Sequence, residues 1–239
     1  EGDINFDSVG KPIPETEIMI SEAGEILSRS PSVFLGYYKS AEETEKTLAG
    51  GWLHSGDAGY FTEDGHLVVI DRVKDVMHLA DGTGFSPQFI ENKLKFSPYI
   101  KECVCLGNER DFLASMICID YPNVGKWAEG RRISYTTYID LAGKPEVLEL
   151  LAKEVEKVNA TLPESTRIRR IVLLYKELDA DDDELTRTRK VRRSFVGERY
   201  RHVIEGMYAE ATSIPVDAVI KYQDGKTSQI RTTLAVRDL

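Results

Sequence analysis

Four short stretches of this sequence carry side chains suited to binding or chemistry. HSGD (His54 to Asp57) ends in a carboxylate placed just after a glycine. Such a carboxylate accepts hydrogen bonds from both hydroxyls of a vicinal diol, as in a ribose, although Ser-Gly-Asp also makes an ordinary turn. DRVKD (Asp71 to Asp75) offers Arg72 as a donor to sugar or phosphate oxygens, and a polar turn between two domains explains it equally well. In ADGTGF (Ala80 to Phe85), Gly82 and Gly84 flank Thr83. Glycines there let a backbone approach a ligand or adopt positive φ, but their spacing matches neither a phosphate loop nor a dinucleotide-binding turn. Finally, ELTRTRKVRR (Glu184 to Arg193) puts Arg187, Arg189, Lys190, Arg192 and Arg193 within seven positions. Lys190 is a compact cation on a flexible stem, able to reach a phosphate or carboxylate in a neighbouring site. The plainer alternative is that these cations only balance the acidic run DADDDE (Asp179 to Glu184). That run lacks the internal glycine and spaced closing glutamate of a calcium loop, and no metal site is expected in it.

The totals narrow the field. The chain has 239 residues, enough for one large domain or two modest ones, and its hydrophobic fraction of 41% with 30% charged residues is ordinary for a globular protein. A formal net charge of −9 argues against a dedicated nucleic-acid binder. The 187–193 run also lacks interleaved aromatics that would stack on bases. No apolar stretch approaches the roughly 20 residues of a membrane helix, and EGDINFDSVG has neither the basic start nor the apolar core of a signal peptide. Cys103, Cys105 and Cys118 are an odd number without zinc spacing. Cys103 and Cys105 alternate along a predicted strand, so they read as buried free thiols in a reducing, cytoplasmic setting.

The elements that must hold these residues read as an α+β protein. Over residues 1–73 the pattern is β-rich. IMI (Ile18 to Ile20) and EIL (Glu25 to Leu27) flank a turn at Gly24, SAEETEKTLA forms a short helix with Ser40 as N-cap, and Asp64-Gly65 turns a hairpin into the buried arm HLVVID. The style changes at Val73 to Asp75, and a mixed α+β domain is expected over 74–205. There PQFIENKLKF is an amphipathic helix with Phe89, Ile90 and Leu94 on one face, and IKECVCLG and FLASMICID are strands joined by NERD. Pro145 opens a longer helix striped by Val147, Leu148, Leu151, Val155, Val158 and Leu162, and RIVLLYKEL is a further strand. Residues 206–239 form a terminal β-hairpin extension about Asp224-Gly225.

In this order, from Val9 to Val196, the stretches resemble the adenylate-forming acyl-CoA synthetases, and within them the long-chain fatty acid–CoA ligases. GKPIPETEIMI is similar to the family's G-K-P-x-P-G-x-E segment, with Thr16 where glycine is common. GEILSRSPSVFLGYYKSAEET resembles its G-E-(I/L)…G-Y-x-x…T stretch. GWLHSGDAGYFTEDGHLVVIDRVKD matches G-W-x-x-T-G-D…D-G…D-R-x-K-D with Ser55 for threonine. ADGTGFSPQFIENKL resembles S-x-G-E-x-(V/I)-x-P-x-x-I-E, with Thr83 where glutamate is frequent. ELTRTRKVRR resembles the closing E-L-T-x-T-x-K-x-(K/R)-R, with Arg187 where proline is common.

The resemblance implies a fragment of a two-step ligase: fatty acid and ATP give acyl-adenylate and pyrophosphate, then CoA displaces AMP. Asp57 would hold the ribose hydroxyls of ATP or AMP, with Arg72 assisting. Lys74 would be the hinge of a mobile C-terminal domain. Gly82, Thr83 and Gly84 would line the CoA tunnel, and Lys190 would be the catalytic lysine of adenylation. The family's phosphate loop, its adenine-positioning segment, its Mg2+ ligand and its acyl tunnel fall outside the matched stretches. The implied reading is therefore the C-terminal portion, inactive alone and partnered by the N-terminal portion, with peripheral membrane contact left open. The competing reading is a catalytically silent binding or scaffold module. Retention of Asp57, Arg72, Lys74 and Lys190 together favours the enzyme.

Overall fold

The structure is a computed structural model that describes residues 5, 8–188, 190–209, 211–221 and 227–239. It has the mixed α and β character expected, and divides into two compact units, Glu1–Val76 and Met77–Leu239.

The first unit is a four-stranded antiparallel sheet of β1 (Glu17–Ile20), β2 (Glu25–Arg29), β3 (Leu53–Phe61) and β4 (Leu67–Arg72) in that order, with helix α1 (Ala41–Thr47) between β2 and β3. Ile26, Leu27, Ala58, Leu67 and Val68 are buried in it. Two expectations need correction. Ser40 stands at the N-cap of α1, but its side chain makes no capping bond. Instead Thr44 Oγ1 donates to the Ser40 carbonyl at 2.7 Å and accepts the Tyr37 N–H at 2.8 Å. The arm HLVVID is buried only at His66, Leu67 and Val68, while Val69 is 41% exposed because β4 is an edge strand with one open face.

In the second unit, a two-stranded ladder of β5 (Met77–His78) and β6 (Gly84–Phe85) precedes helix α2 (Pro87–Leu94). Pro87 suits the first helical position, and the Ser86 hydroxyl accepts the Phe89 N–H as an N-cap. A five-stranded sheet then forms in the order β10-β11-β9-β8-β7, from β7 (Ile100–Leu106), β8 (Leu113–Ile119), β9 (Ile168–Leu173), β10 (Ser213–Lys221) and β11 (Thr227–Asp238). Among the described residues only the β8–β9 pair is parallel, and helices α3 (Tyr121–Gly130), α4 (Tyr138–Ala142) and α5 (Pro145–Asn159) span the crossover that a parallel pair requires. Helices α6 (Arg193–Arg199) and α7 (Arg201–Tyr208) lie between β9 and β10 in the chain. The Asp224-Gly225 turn lies outside the described residues, but its arms pair antiparallel from Ser213–Ala235 to Lys221–Thr227, and Val236–Asp238 continue onto β9.

All seven residues of β8 are buried, so both of its faces are covered. Leu113, Ile117 and Ile119 join Cys103, Cys105, Leu94, Leu151 and Val155 in one core, and Ala114, Met116 and Cys118 join Val196, Val203 and Met207 in the other. The α5 stripe is buried at Val147, Leu151 and Val155. Leu162 is buried as well, but lies beyond the helix end at Asn159. Helix α5 thus ends one turn earlier than its apolar periodicity.

All three cysteines are buried and free. Burial pushes their thiols up, Cys118 to about 12. The thiolate that reacts with disulfide reagents is therefore scarce at neutral pH. Native protein is expected to give less than one fast-reacting thiol per chain with an aromatic disulfide reagent, and three after unfolding in guanidinium. A fast-reacting native thiol would contradict the packing of β7 and β8.

Candidate functional site

The carboxylate of Asp57 is placed by sheet register. Asp57 on β3 pairs directly with Arg72 on β4, and bulges at Glu25/Leu27 and Ala58/Gly59 shift the ladder on either side. Arg72 Nε lies 3.2 Å from Asp57 Oδ1, and Arg72 Nη1 donates to the Ser55 carbonyl at 3.2 Å. The two side chains are 59% and 37% exposed, a setting in which an ion pair contributes about 0–1 kcal/mol. The pair fixes orientation more than it stabilises. Among the described residues Arg72 is the ion-pair partner of Asp57, which leaves carboxylate capacity for the hydroxyls of a diol.

Behind this pair stands a residue that motif reading did not single out. Glu25 Oε1 accepts the Gly56 N–H at 2.8 Å, and Glu25 Oε2 is 2.9 Å from His54 Nδ1. Gly56 has φ +71, a conformation an L side chain adopts only with strain. The Ser55 hydroxyl donates to the Ile26 carbonyl at 2.7 Å and accepts the Asp57 N–H at 3.0 Å. The His54 ring, the Ser55 hydroxyl and the Gly56 and Asp57 N–H groups are thus engaged by β2 or by the turn itself. The clue in the sequence was a glutamate opening an apolar strand, GEIL.

Lys74 lies in a single 3-10 turn, Val73–Asp75, closed by the Val76 N–H on the Val73 carbonyl at 3.3 Å. In the second unit, Gly82 (φ +86) sits at the tip of the ladder formed by β5 and β6. The Gly82 N–H bonds the Leu79 carbonyl at 3.0 Å, the Leu79 N–H bonds the Thr83 carbonyl at 2.9 Å, and Asp81 Oδ1 accepts the Thr83 N–H at 2.8 Å. Only Gly82 of the two glycines uses positive φ; Gly84 is a strand residue. Gly82 and Gly84 are exposed and Thr83 is half-buried.

Lys190 sits on a tight loop in the second unit. Leu185 and Val191 form an isolated antiparallel bridge, the Thr186 N–H donates to the Lys190 carbonyl at 2.8 Å, and the Arg192 N–H donates to the Glu184 carbonyl at 2.9 Å. The Lys190 N–H in turn donates to Thr186 Oγ1 at 3.0 Å. Its side chain is exposed and meets no carboxylate among the described residues. The neighbouring cations differ. Arg192 pairs with Asp183, whereas Arg193 makes a two-pronged pair with Glu91 at 2.9 and 2.6 Å. Arg189 lies outside the described residues. Within the described run, Arg192 thus meets the acidic run at Asp183, while Arg193 also reaches Glu91 of α2.

Glu91 also accepts the Cys105 N–H at 2.8 Å, and burial pushes its carboxyl up despite Arg193. Glu184 is fully buried. Lys176 Nζ (2.6 Å), the Asp179 N–H (3.0 Å), the Tyr200 hydroxyl (2.8 Å) and Arg199 Nε (3.2 Å) close around it. Three acids of the run, Asp182, Asp183 and Glu184, meet protein cations, with Asp182 reaching Lys176 at 2.8 Å.

The sequence model of the family described as AMP-binding enzyme C-terminal domain matches residues 74–212, more than half of the chain. The chain belongs to that family. Among curated relatives, the long-chain-fatty-acid–CoA ligase FadD15 of Mycobacterium tuberculosis is 30% identical over 207 residues, covering 86% of this chain and 34% of the relative. The peroxisomal long chain acyl-CoA synthetase 7 of Arabidopsis thaliana is 29% identical over 235 residues, covering 90% and 34%. This AMP-binding enzyme C-terminal domain chain thus spans about a third of the length of the curated relatives it matches. The adenylation domain of a carboxylate reductase from Mycobacterium chelonae superposes with TM-score 0.55 at 22% identity, over 84% of this chain and 32% of that one. Apo MatB from Rhodopseudomonas palustris gives TM-score 0.57 at 18% identity, over 85% and 38%. These two likenesses concern the fold. No helix among the described residues is long and apolar enough to cross a membrane.

The HSGD turn yields a direct test. Glu25→Ala strips the Gly56 N–H and His54 of a shared, half-buried acceptor and should lower stability by about 1–3 kcal/mol. Arg72→Ala, which opens a largely exposed pair, should cost about 1 kcal/mol or less. Urea unfolding of both variants checks the order; equal losses would mean that Glu25 does not brace the turn.

Proposed function

We propose that this chain works as the C-terminal part of an AMP-forming long-chain fatty acid–CoA ligase. Residues 1–73 complete a larger adenylation domain, residues 74–205 form its mobile small domain, and residues 206–239 extend that domain. The family match over 74–212 and the fatty acid–CoA ligases among the relatives support this reading. The observation that carries it is Lys190: an exposed ammonium that meets no carboxylate among the described residues, on a backbone-paired loop where Arg192 and Arg193 pair with Asp183 and Glu91.

The two steps follow from the chemistry of the substrates. A fatty-acid carboxylate oxygen attacks the α-phosphorus of ATP, the bond to the β-phosphate oxygen breaks, and pyrophosphate leaves with that electron pair. The CoA sulfur then attacks the acyl carbonyl, the mixed-anhydride bond breaks, AMP departs, and the thiol proton passes to solvent. Negative charge builds on the oxygens around phosphorus in the first step, and an ammonium aimed there lowers that barrier. Lys190 supplies that charge. Asp57 takes the ribose hydroxyls, and Arg72 orients Asp57 while its remaining donors face the sugar. Gly82, Thr83 and Gly84 border the pantetheine path of CoA. Lys74 is the pivot that exchanges the Lys190 face for the Gly82 face between the steps, a hinge-type closure. Mg2+ and the triphosphate-binding loop are assigned to a part of the ligase outside these residues, so the chain alone is expected to lack pyrophosphate exchange. Buried free thiols support a cytoplasmic place of action.

In the complete ligase, Lys190→Ala is expected to cut palmitate-dependent ATP–pyrophosphate exchange by at least a hundredfold, while thioester formation from preformed acyl-adenylate stays within about threefold; a hundredfold corresponds to roughly 2.7 kcal/mol of barrier. Equal losses in both half-reactions would remove Lys190 from this role. Lys74→Pro should do the opposite, leaving exchange near wild type while overall turnover drops about tenfold or more; unimpaired turnover would end the hinge assignment.

A further inference from the structure

The loop that presents Lys190 is short, exposed at its tip and rich in cations that repel one another. Left to itself it would sample many conformations. Its base, however, is fastened through one residue. The Glu184 carbonyl accepts the Arg192 N–H across the loop, and the Glu184 side chain is engaged on both oxygens. Lys176 and the Asp179 N–H close on Oε2, and Tyr200 and Arg199 close on Oε1. Lys176 follows β9, while Arg199 and Tyr200 end α6 and begin the next turn. Glu184 therefore locks the loop to two elements of the core at once. Burial also pushes the Tyr200 hydroxyl far up, so it remains a donor at any working pH. A second fastening lies three residues beyond Lys190, where Arg193 pairs with buried Glu91 of α2.

We propose that Glu184 is a positioning residue for Lys190: its buried carboxylate, held by Lys176, Arg199 and Tyr200, sets the loop so that the ammonium arrives at the reacting phosphate already oriented. This rests on the adenylation role of Lys190 given above. An unanchored loop would still carry the cation, but each encounter would first have to order the backbone, and misplacement of a catalytic group by about 1 Å can cost on the order of a hundredfold in rate. A purely structural carboxylate would instead affect both half-reactions together through loss of folded protein.

The test uses the complete ligase with Glu184→Gln, which keeps the side-chain shape and an acceptor for Tyr200 while removing the charge between Lys176 and Arg199. Tyr200→Phe removes a single hydrogen bond and serves as the milder variant should the first fold poorly. Both are compared with Lys190→Ala in the two half-reactions, and amide hydrogen exchange is followed by mass spectrometry. We expect kcat of ATP–pyrophosphate exchange to fall about tenfold or more in Glu184→Gln and several-fold in Tyr200→Phe. KM for ATP should stay within about twofold, and thioester formation from preformed acyl-adenylate should remain near wild type. Exchange of the Thr186 to Val191 amides should speed up about tenfold while those of β8 remain protected. The proposal is overturned if both half-reactions fall together, if hydrogen exchange quickens across β8 as much as in the loop, or if neither variant changes adenylation. Loss of adenylation in Lys190→Ala without a selective effect of the other two removes the positioning role alone. A harmless Lys190→Ala removes the underlying reading and the positioning role with it.

Discussion

Glu184 places a carboxylate where no water reaches it. Removing such a group from water costs several kcal/mol, and nearby charges offset that cost only when the remaining lone pairs are also hydrogen-bonded. The chain meets both conditions by bringing Lys176, Arg199, Tyr200 and the Asp179 N–H to one point. This requirement fixes more than a loop. It determines where the segment after β9 must run, and it sets the end of α6 against that segment. Removing the charge of Lys176 or Arg199 would leave the buried carboxylate short of a counter-charge, a change that typically costs about 3–5 kcal/mol for a buried pair. The Lys190 loop inherits its position from that arrangement.

The exposed sites follow a different rule. The Asp57–Arg72 pair contributes little to stability, because solvent screens both groups. What holds its geometry is the β3–β4 register and two bulges, together with the Glu25 carboxylate that accepts the N–H of the positive-φ Gly56 turn. Lysine suits position 190 for a related reason. Its rotatable ammonium is a point charge that can follow a moving phosphate, whereas guanidinium groups prefer fixed two-pronged partners such as the one Arg193 finds in Glu91. Within one short run, Arg192 and Arg193 pair with carboxylates, while the Lys190 side chain meets none among the described residues.

Much of this was legible in the sequence wherever the signal is local. Gly65 marked the hairpin between β3 and β4, Pro145 marked the start of α5, and the alternation of Cys103 and Cys105 placed both thiols on one buried face. Reading failed where local and distant demands compete. Ser40 is chemically fit to cap α1, yet its hydroxyl makes no capping bond, and the side-chain contact at this end is Thr44 Oγ1 donating to the Ser40 carbonyl. Helices α6 and α7 were hidden behind a charge pattern that drew attention to the basic run. The Glu91–Arg193 pair joins residues far apart in sequence, and no periodicity announces such a contact. In the sequence Glu184 is the last acid of a run that neighbouring cations could balance. Only burial separates it from Asp181, which is exposed.

The strand order of the second unit has a consequence for how this protein is made. In the sheet, β11 lies between β9 and β10, yet both of those strands precede it in the chain. While synthesis proceeds, the outer edge of β9 stays uncovered after its own residues have emerged. Helices α6 and α7 and then β10 arrive before the strand that covers that edge. An open strand edge is a template for pairing with other chains. The nascent polypeptide therefore passes through a window of vulnerability that closes only when Val236 to Asp238 dock. Chaperone demand should concentrate in that late interval, and a ribosome stalled before residue 236 would release a species prone to self-association.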